Sequence, residues 1–138
     1  MPYIPWDPTW SVGVRELDEQ HREFIQVLNE LHDVLMAGGF SEVLRARERA
    51  LDGIDRYVRT HFPAEEEHME RIGYPWLDEH REQHAQFAAQ ARGYRAASAS
   101  GEPVLNSELV KAMIDWVHSH LVAEDSKYAA FAAGLAGR

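Results

Sequence analysis

Apolar residues recur every three or four positions along most of this chain, the period of an amphipathic helix. In the first helix the stripe is Leu17, His21, Phe24, Leu28, Leu31 and Leu35, with Asp18 as the expected cap and Gly38-Gly39 as the stop. A second helix is expected from Ser41, with Leu44, Leu51, Ile54, Val58, His61, Glu65 and Met69 on one face and Gly73 as its end. A third starts near Pro75 and carries Leu77, His80, His84, Phe87 and Ala91. After a polar loop from Ser98 to Asn106 containing Gly101 and Pro103, a fourth starts near Ser107 and carries Leu109, Met113, Trp116 and His120. No strand pattern competes, and no stripe lasts long enough for a coiled coil. Short connections make the first three helices antiparallel neighbours. The fold class is therefore all-α: an up-down-up-down antiparallel four-helix bundle with a short C-terminal helix. Residues 1–17 carry Pro2, Pro5 and Pro8 around Trp6 and Trp10, a composition that resists helix and suits an arm packed on the bundle. The bundle proper is expected over residues 18–138 as one domain.

Composition narrows the function classes. The chain has 138 residues, enough for one core, with 45% apolar and 27% charged residues. It has no cysteine, which removes disulfides, zinc–thiolate sites and cysteine-held iron–sulfur clusters. The net charge of −9 disfavours nucleic acid as a partner. No apolar run is long enough for a membrane span, and MPYIPWDPTW lacks the basic and apolar regions of a signal peptide. A cytoplasmic setting is expected, and a monomer, because no apolar stripe is left unpaired.

Eight histidines are the unusual item. His21 lies early in the first helix, His61 and Glu65 late in the second, His80 and His84 early in the third, and His120 and Asp125 at the end of the fourth. In an up-down bundle those positions share one level. Residues four apart share a helix face, so His61 with Glu65, and His80 with His84, point the same way. His120 and Asp125 are five apart, which predicts a distortion or an end of the helix between them. A lone histidine on an apolar face is usually a hydrogen-bonded core residue. Burying five histidines and two carboxylates at one level on four helices without a metal is costly unless each finds a partner, so the pattern points to a metal. His118 and His32 fall off the site by facing or height. His68 forms a Glu65-x-x-His68 spacing used in ferritin-like di-iron proteins, but that pattern occurs once rather than twice, so His68 is left out.

The donor set exceeds what one ion takes, and imidazole with carboxylate and no thiolate suits iron, copper, zinc or manganese. Two six-coordinate ions need twelve bonds. Five imidazoles, two bridging carboxylates and one bridging solvent oxygen supply eleven, which leaves one open position for a small ligand. Zinc prefers fewer ligands.

The segments from Val12 to His21, His61-Phe-Pro-Ala-Glu65-Glu, Tyr74-Pro75, His80-Arg-Glu-Gln-His84 and His120-Leu-Val-Ala-Glu-Asp125-Ser-Lys-Tyr128 together resemble the hemerythrin family, specifically its single-domain bacterial members. The resemblance covers nearly the whole chain. It implies two iron ions with an oxo or hydroxo bridge. His80, His84 and His120 would hold one iron, His21 and His61 the other, and Glu65 and Asp125 would bridge them. It further implies reversible dioxygen binding at the second iron, for storage, delivery or sensing, in a pocket lined by Phe62, Trp116, Val117 and Leu121. The protein is then not an enzyme; the alternative is a di-iron oxidase, peroxidase or nitric oxide reductase on the same site. Pro63, inside the second helix, departs from good helix chemistry and predicts a local bend beside Glu65.

Overall fold

The computed structural model describes residues 2–101 and 106–136. Among these no strand occurs, and four long rods lie side by side. The first rod is α1 (Arg15–Ala37). The second is built of α2 (Phe40–Arg56), a π-helical stretch (Tyr57–His61) and α3 (Phe62–Ile72). The third is α4 (Leu77–Ala99). The fourth joins α5 (Asn106–Trp116) to a second π-helical stretch (Val117–Val122), and α6 (Asp125–Ala136) follows as a short C-terminal helix.

The ends of the helices follow local chemistry. Gly73 takes the left-handed conformation (φ 72°) that glycine adopts without penalty, and Tyr74 N–H closes back on Met69 O at 2.9 Å, which stops α3. Pro75 lies in the turn rather than the first helical turn, so α4 begins two residues later than expected, at Leu77. Asp18 is not a cap. α1 starts earlier, at Arg15, and Asp18 in its first turn accepts Val12 N–H at 2.8 Å and Ser11 Oγ–H at 2.5 Å, tying the preceding segment to the helix. The expected Ser98–Asn106 loop is shorter, because α4 runs on to Ala99; Pro103 lies outside the described residues. Ahead of α1, Ile4 is clamped by both backbone groups to the Asn29 amide, at 2.8 and 2.9 Å.

The interior is two apolar clusters. The larger is built on Phe24, Leu28, Leu31, Leu51, Ile54, Phe87, Leu109, Met113 and their neighbours. The smaller gathers Val12, Leu17, Met69, Tyr74 and Tyr128. The buried polar side chains belong to neither.

Candidate metal centre

Two of the four rods change helical form where they supply donors. In the second rod the backbone widens over Tyr57–His61, and Phe62 N–H reaches back five residues to Tyr57 O. The α-helix restarts at Phe62, so Pro63 falls in a first turn, where no N–H is needed. The anticipated bend is thus a change of helix form that leaves Glu65 fully buried at the centre. In the fourth rod the π-helical stretch holds His120, a turn covers Ala123 and Glu124, and α6 opens on Asp125. That is the distortion the five-residue spacing required.

His21, His61, Glu65, His80, His84, His120 and Asp125 all come together, none more than 2% exposed. They form two groups of converging donor atoms: Glu65, His80, His84 and His120, and His21, His61, Glu65 and Asp125. Glu65 divides its oxygens between them. Its Oε1 lies 2.9 Å from His80 Nε2 and 3.0 Å from His84 Nε2, while its Oε2 lies 2.9 Å from His61 Nε2 and 3.3 Å from His21 Nε2. Asp125 does the same: Oδ1 is 3.0 Å from His80 Nε2 and 3.1 Å from His120 Nε2, and Oδ2 is 3.0 Å from His21 Nε2. Every imidazole therefore turns Nε2 inward.

These contacts satisfy only part of the set: Glu65 is hydrogen-bonded to His21, His80 and His84. His61 Nε2, His120 Nε2 and both Asp125 oxygens are buried without a hydrogen-bond partner, although each has an opposite atom close by. Donors that approach but do not aim at one another are aimed at a common point between them. That pattern fits a metal, and the donor chemistry of imidazole with carboxylate agrees. His118 is exposed, His32 stacks on Tyr3, and His68 lies beside Tyr128 outside both groups.

Without a metal the charges are strongly coupled. Burial opposes charge on His21 and His80, but the Asp125 and Glu65 carboxylates outweigh it and raise both to about 9. Burial also dominates at His61 and pushes it down. Burial would raise Glu65 and Asp125, yet the surrounding imidazoles hold both carboxyls below the usual range.

Several supporting residues were not anticipated. His61 Nδ1–H donates to Gln20 Oε1 at 2.6 Å, His120 Nδ1–H to Gln83 Oε1 at 2.7 Å, and His84 Nδ1–H to Glu66 Oε2 at 2.8 Å. Such bonds fix the tautomer that leaves Nε2 free as a ligand. The Gln-His pairs at 20–21 and 83–84 were a legible signal, since each glutamine serves a histidine on a neighbouring rod. Tyr128 O–H donates to Glu65 Oε2 at 3.0 Å, and Trp116 Nε1–H donates to the Tyr57 hydroxyl at 3.1 Å. The four expected pocket residues, Phe62, Trp116, Val117 and Leu121, are all buried. Phe62 lies parallel to His84 at 3.8 Å, Trp116 to His120 at 3.9 Å, and Tyr57 to His61 at 4.5 Å.

Comparison with known proteins agrees with this geometry. The family profile described as "Hemerythrin HHE cation binding domain" matches residues 12–132. The bacteriohemerythrin of Stenotrophomonas maltophilia (strain R551-3) is 31% identical over 129 residues, which is 94% of this chain and 81% of that protein. The myohemerythrin of Theromyzon tessulatum is 29% identical over 127 residues, 92% of this chain and 91% of that protein. A crystal structure of wild-type hemerythrin superposes with a TM-score of 0.76 at 25% identity, covering 92% of this chain and 95% of that one.

Proposed function

The chain belongs to the hemerythrin family, and from that premise we propose that its buried cluster holds two iron ions and binds dioxygen reversibly at one of them. The observation that carries the reading is the division of each carboxylate between two donor groups. Three imidazoles with two carboxylate oxygens would serve one ion, and His21 and His61 with the other two oxygens would serve its neighbour. A shared solvent oxygen would complete six bonds on the first side and five on the second, so the open position would fall beside His21 and His61. Iron over zinc is supported by the family and by the size of the donor set, since zinc takes fewer ligands.

When bound, the iron pair supplies the electrons and the vacant coordination position that dioxygen requires. The protein's part is enclosure. Phe62, Trp116, Val117 and Leu121 keep water from the donors, and Phe62 and Trp116 hold His84 and His120 in plane by stacking. Gln20, Gln83 and Glu66 keep the outer protons of three imidazoles in place. The reading is of a carrier, store or sensor and not an enzyme. His68, the residue that would add a donor toward oxidative chemistry, stays outside the cluster. A monomer in the cytoplasm belongs to the same reading; among the described residues no helix is long and apolar enough to cross a membrane.

The test is an anaerobic oxygen titration with metal analysis on one sample. The expected result is two irons per chain and a near-ultraviolet and visible band that appears in air and disappears under vacuum. Irreversible oxidation in a single exposure, with no oxygenated form, overturns the proposal.

A further inference from the structure

The imidazoles of the centre are not supported alike. His61 and His120 donate their outer protons to the neutral amides of Gln20 and Gln83. His84 donates to a carboxylate, Glu66, at 2.8 Å. The other Glu66 oxygen takes Arg81 Nε–H at 3.2 Å, and Arg81 also lies 3.6 Å from Glu70 and 3.8 Å from Asp78. A line of charge therefore runs from the surface through Glu66 to His84, whose side chain is 3% exposed while that of Glu66 is 26% exposed. The parallel Phe62 ring at 3.8 Å prevents His84 from turning away.

We propose that Glu66 is a positioning residue that sets the electron-donating strength of His84, and through it the redox poise of the metal pair, with Arg81 as its counterweight. The inference rests on the di-iron reading above. A carboxylate accepts an N–H bond more strongly than an amide does, and it draws the imidazole proton outward. The ring then carries more negative character at Nε2, which is a better donor to the more highly charged ferric state. Arg81 withdraws part of that charge. Because it is shared with two other carboxylates, it neutralises Glu66 only in part.

The experiment is a spectroelectrochemical titration of the iron-loaded full chain as wild type, Glu66→Gln and Arg81→Gln. Glu66→Gln keeps the shape and an acceptor for His84 but removes the charge. It should raise the reduced-to-oxidised ratio at a fixed potential about tenfold, equivalent to about 59 mV for a one-electron step. Arg81→Gln should move the ratio the other way, by several-fold. A merely structural role would move both variants in one direction or neither. Coincident potentials, or shifts of the same sign, overturn the assignment. Should Glu66→Gln fail to load, Arg81→Gln decides alone, since both partners of the hydrogen bond remain, and an unmoved or raised potential refutes the role. Metal analysis and the air–vacuum cycle on the same samples separate the two claims. Wild-type protein lacking two irons or a reversible band overturns the di-iron reading and this inference with it; a normal band with unmoved potentials overturns only the role of Glu66.

Discussion

Tyr128 shows how a candidate metal centre is held by residues outside its donor set. Its ring is fully buried in the smaller apolar cluster, and its hydroxyl donates to the Glu65 oxygen that also faces His21 and His61. Replacing it with phenylalanine keeps the packing and leaves that oxygen free to swing. Second-layer losses of this kind typically lower metal affinity about 10- to 100-fold. Tyr128→Phe is therefore expected to release its metal to a competing chelator at correspondingly lower chelator concentration, with unchanged far-ultraviolet circular dichroism. Titration gives a second prediction. In the metal-free protein His21 and His80 are raised to about 9, so the stability they contribute as cations is complete below about 6.5 and is lost as pH rises through about 9. The thermal midpoint of metal-free protein should fall between pH 7 and pH 9.5, and that of metal-loaded protein should not, because its imidazoles are already committed. A flat profile for both would contradict the assignment. The seven donors were legible in the sequence because polar residues stand out on an apolar stripe. Glu66 was not, because a polar residue beside a ligand resembles any solvated helix position, and the adjacency of Gln20 and Gln83 to histidines did not show that each serves a histidine on another rod. The contacts of Gln20, Gln83 and Glu66 span 41, 37 and 18 residues of sequence.

At the scale of elements, the second rod shows how a chain places two donors around a proline. Proline in the interior of an α-helix costs about 3 kcal/mol, and replacing it there would stabilise the protein by a similar amount. Pro63 is exposed, lies in the first turn of α3 and follows a π-helical stretch, so its missing N–H leaves no gap. Pro63→Ala is accordingly expected to change unfolding free energy by no more than about 0.5 kcal/mol in a urea titration of metal-free protein. A gain near the interior value would mean that the π-helical stretch does not absorb the proline. The position of this irregularity could be read from Pro63, and that of the other from the five-residue gap between His120 and Asp125. Their form could not, because hydrophobic period does not distinguish a widened turn from a kink. Helix starts shifted for a similar reason: Asp18 has the chemistry of a cap, but Ser11 and Val12 claim its carboxylate from outside the helix.

For the whole molecule, short loops and staggered histidines were enough to bring all the donors to one level. They did not show that this level divides the apolar interior. The polar layer separates the larger cluster from the small group of Val12, Leu17, Met69, Tyr74 and Tyr128. Five buried residues have too little area to hold one end of a bundle without help, so much of that end's attachment must pass through the centre. Seven buried polar groups, four of them with orphaned atoms, then stabilise or destabilise according to what binds them. Metal removal is expected to lower the thermal midpoint, and the loss should be uneven. Amides of α6 and of the first turns of α1 should lose hydrogen-exchange protection by at least about tenfold, while those of α2, packed in the larger cluster, should change little. The midpoint should recover as metal is returned, and more at higher free metal, since a ligand that binds only the folded state stabilises by mass action. Uniform loss of protection along the chain would mean that the two clusters are one cooperative unit. A midpoint indifferent to chelator would mean that the histidines and carboxylates satisfy one another without a metal, and the orphaned Nε2 atoms of His61 and His120 argue against that outcome.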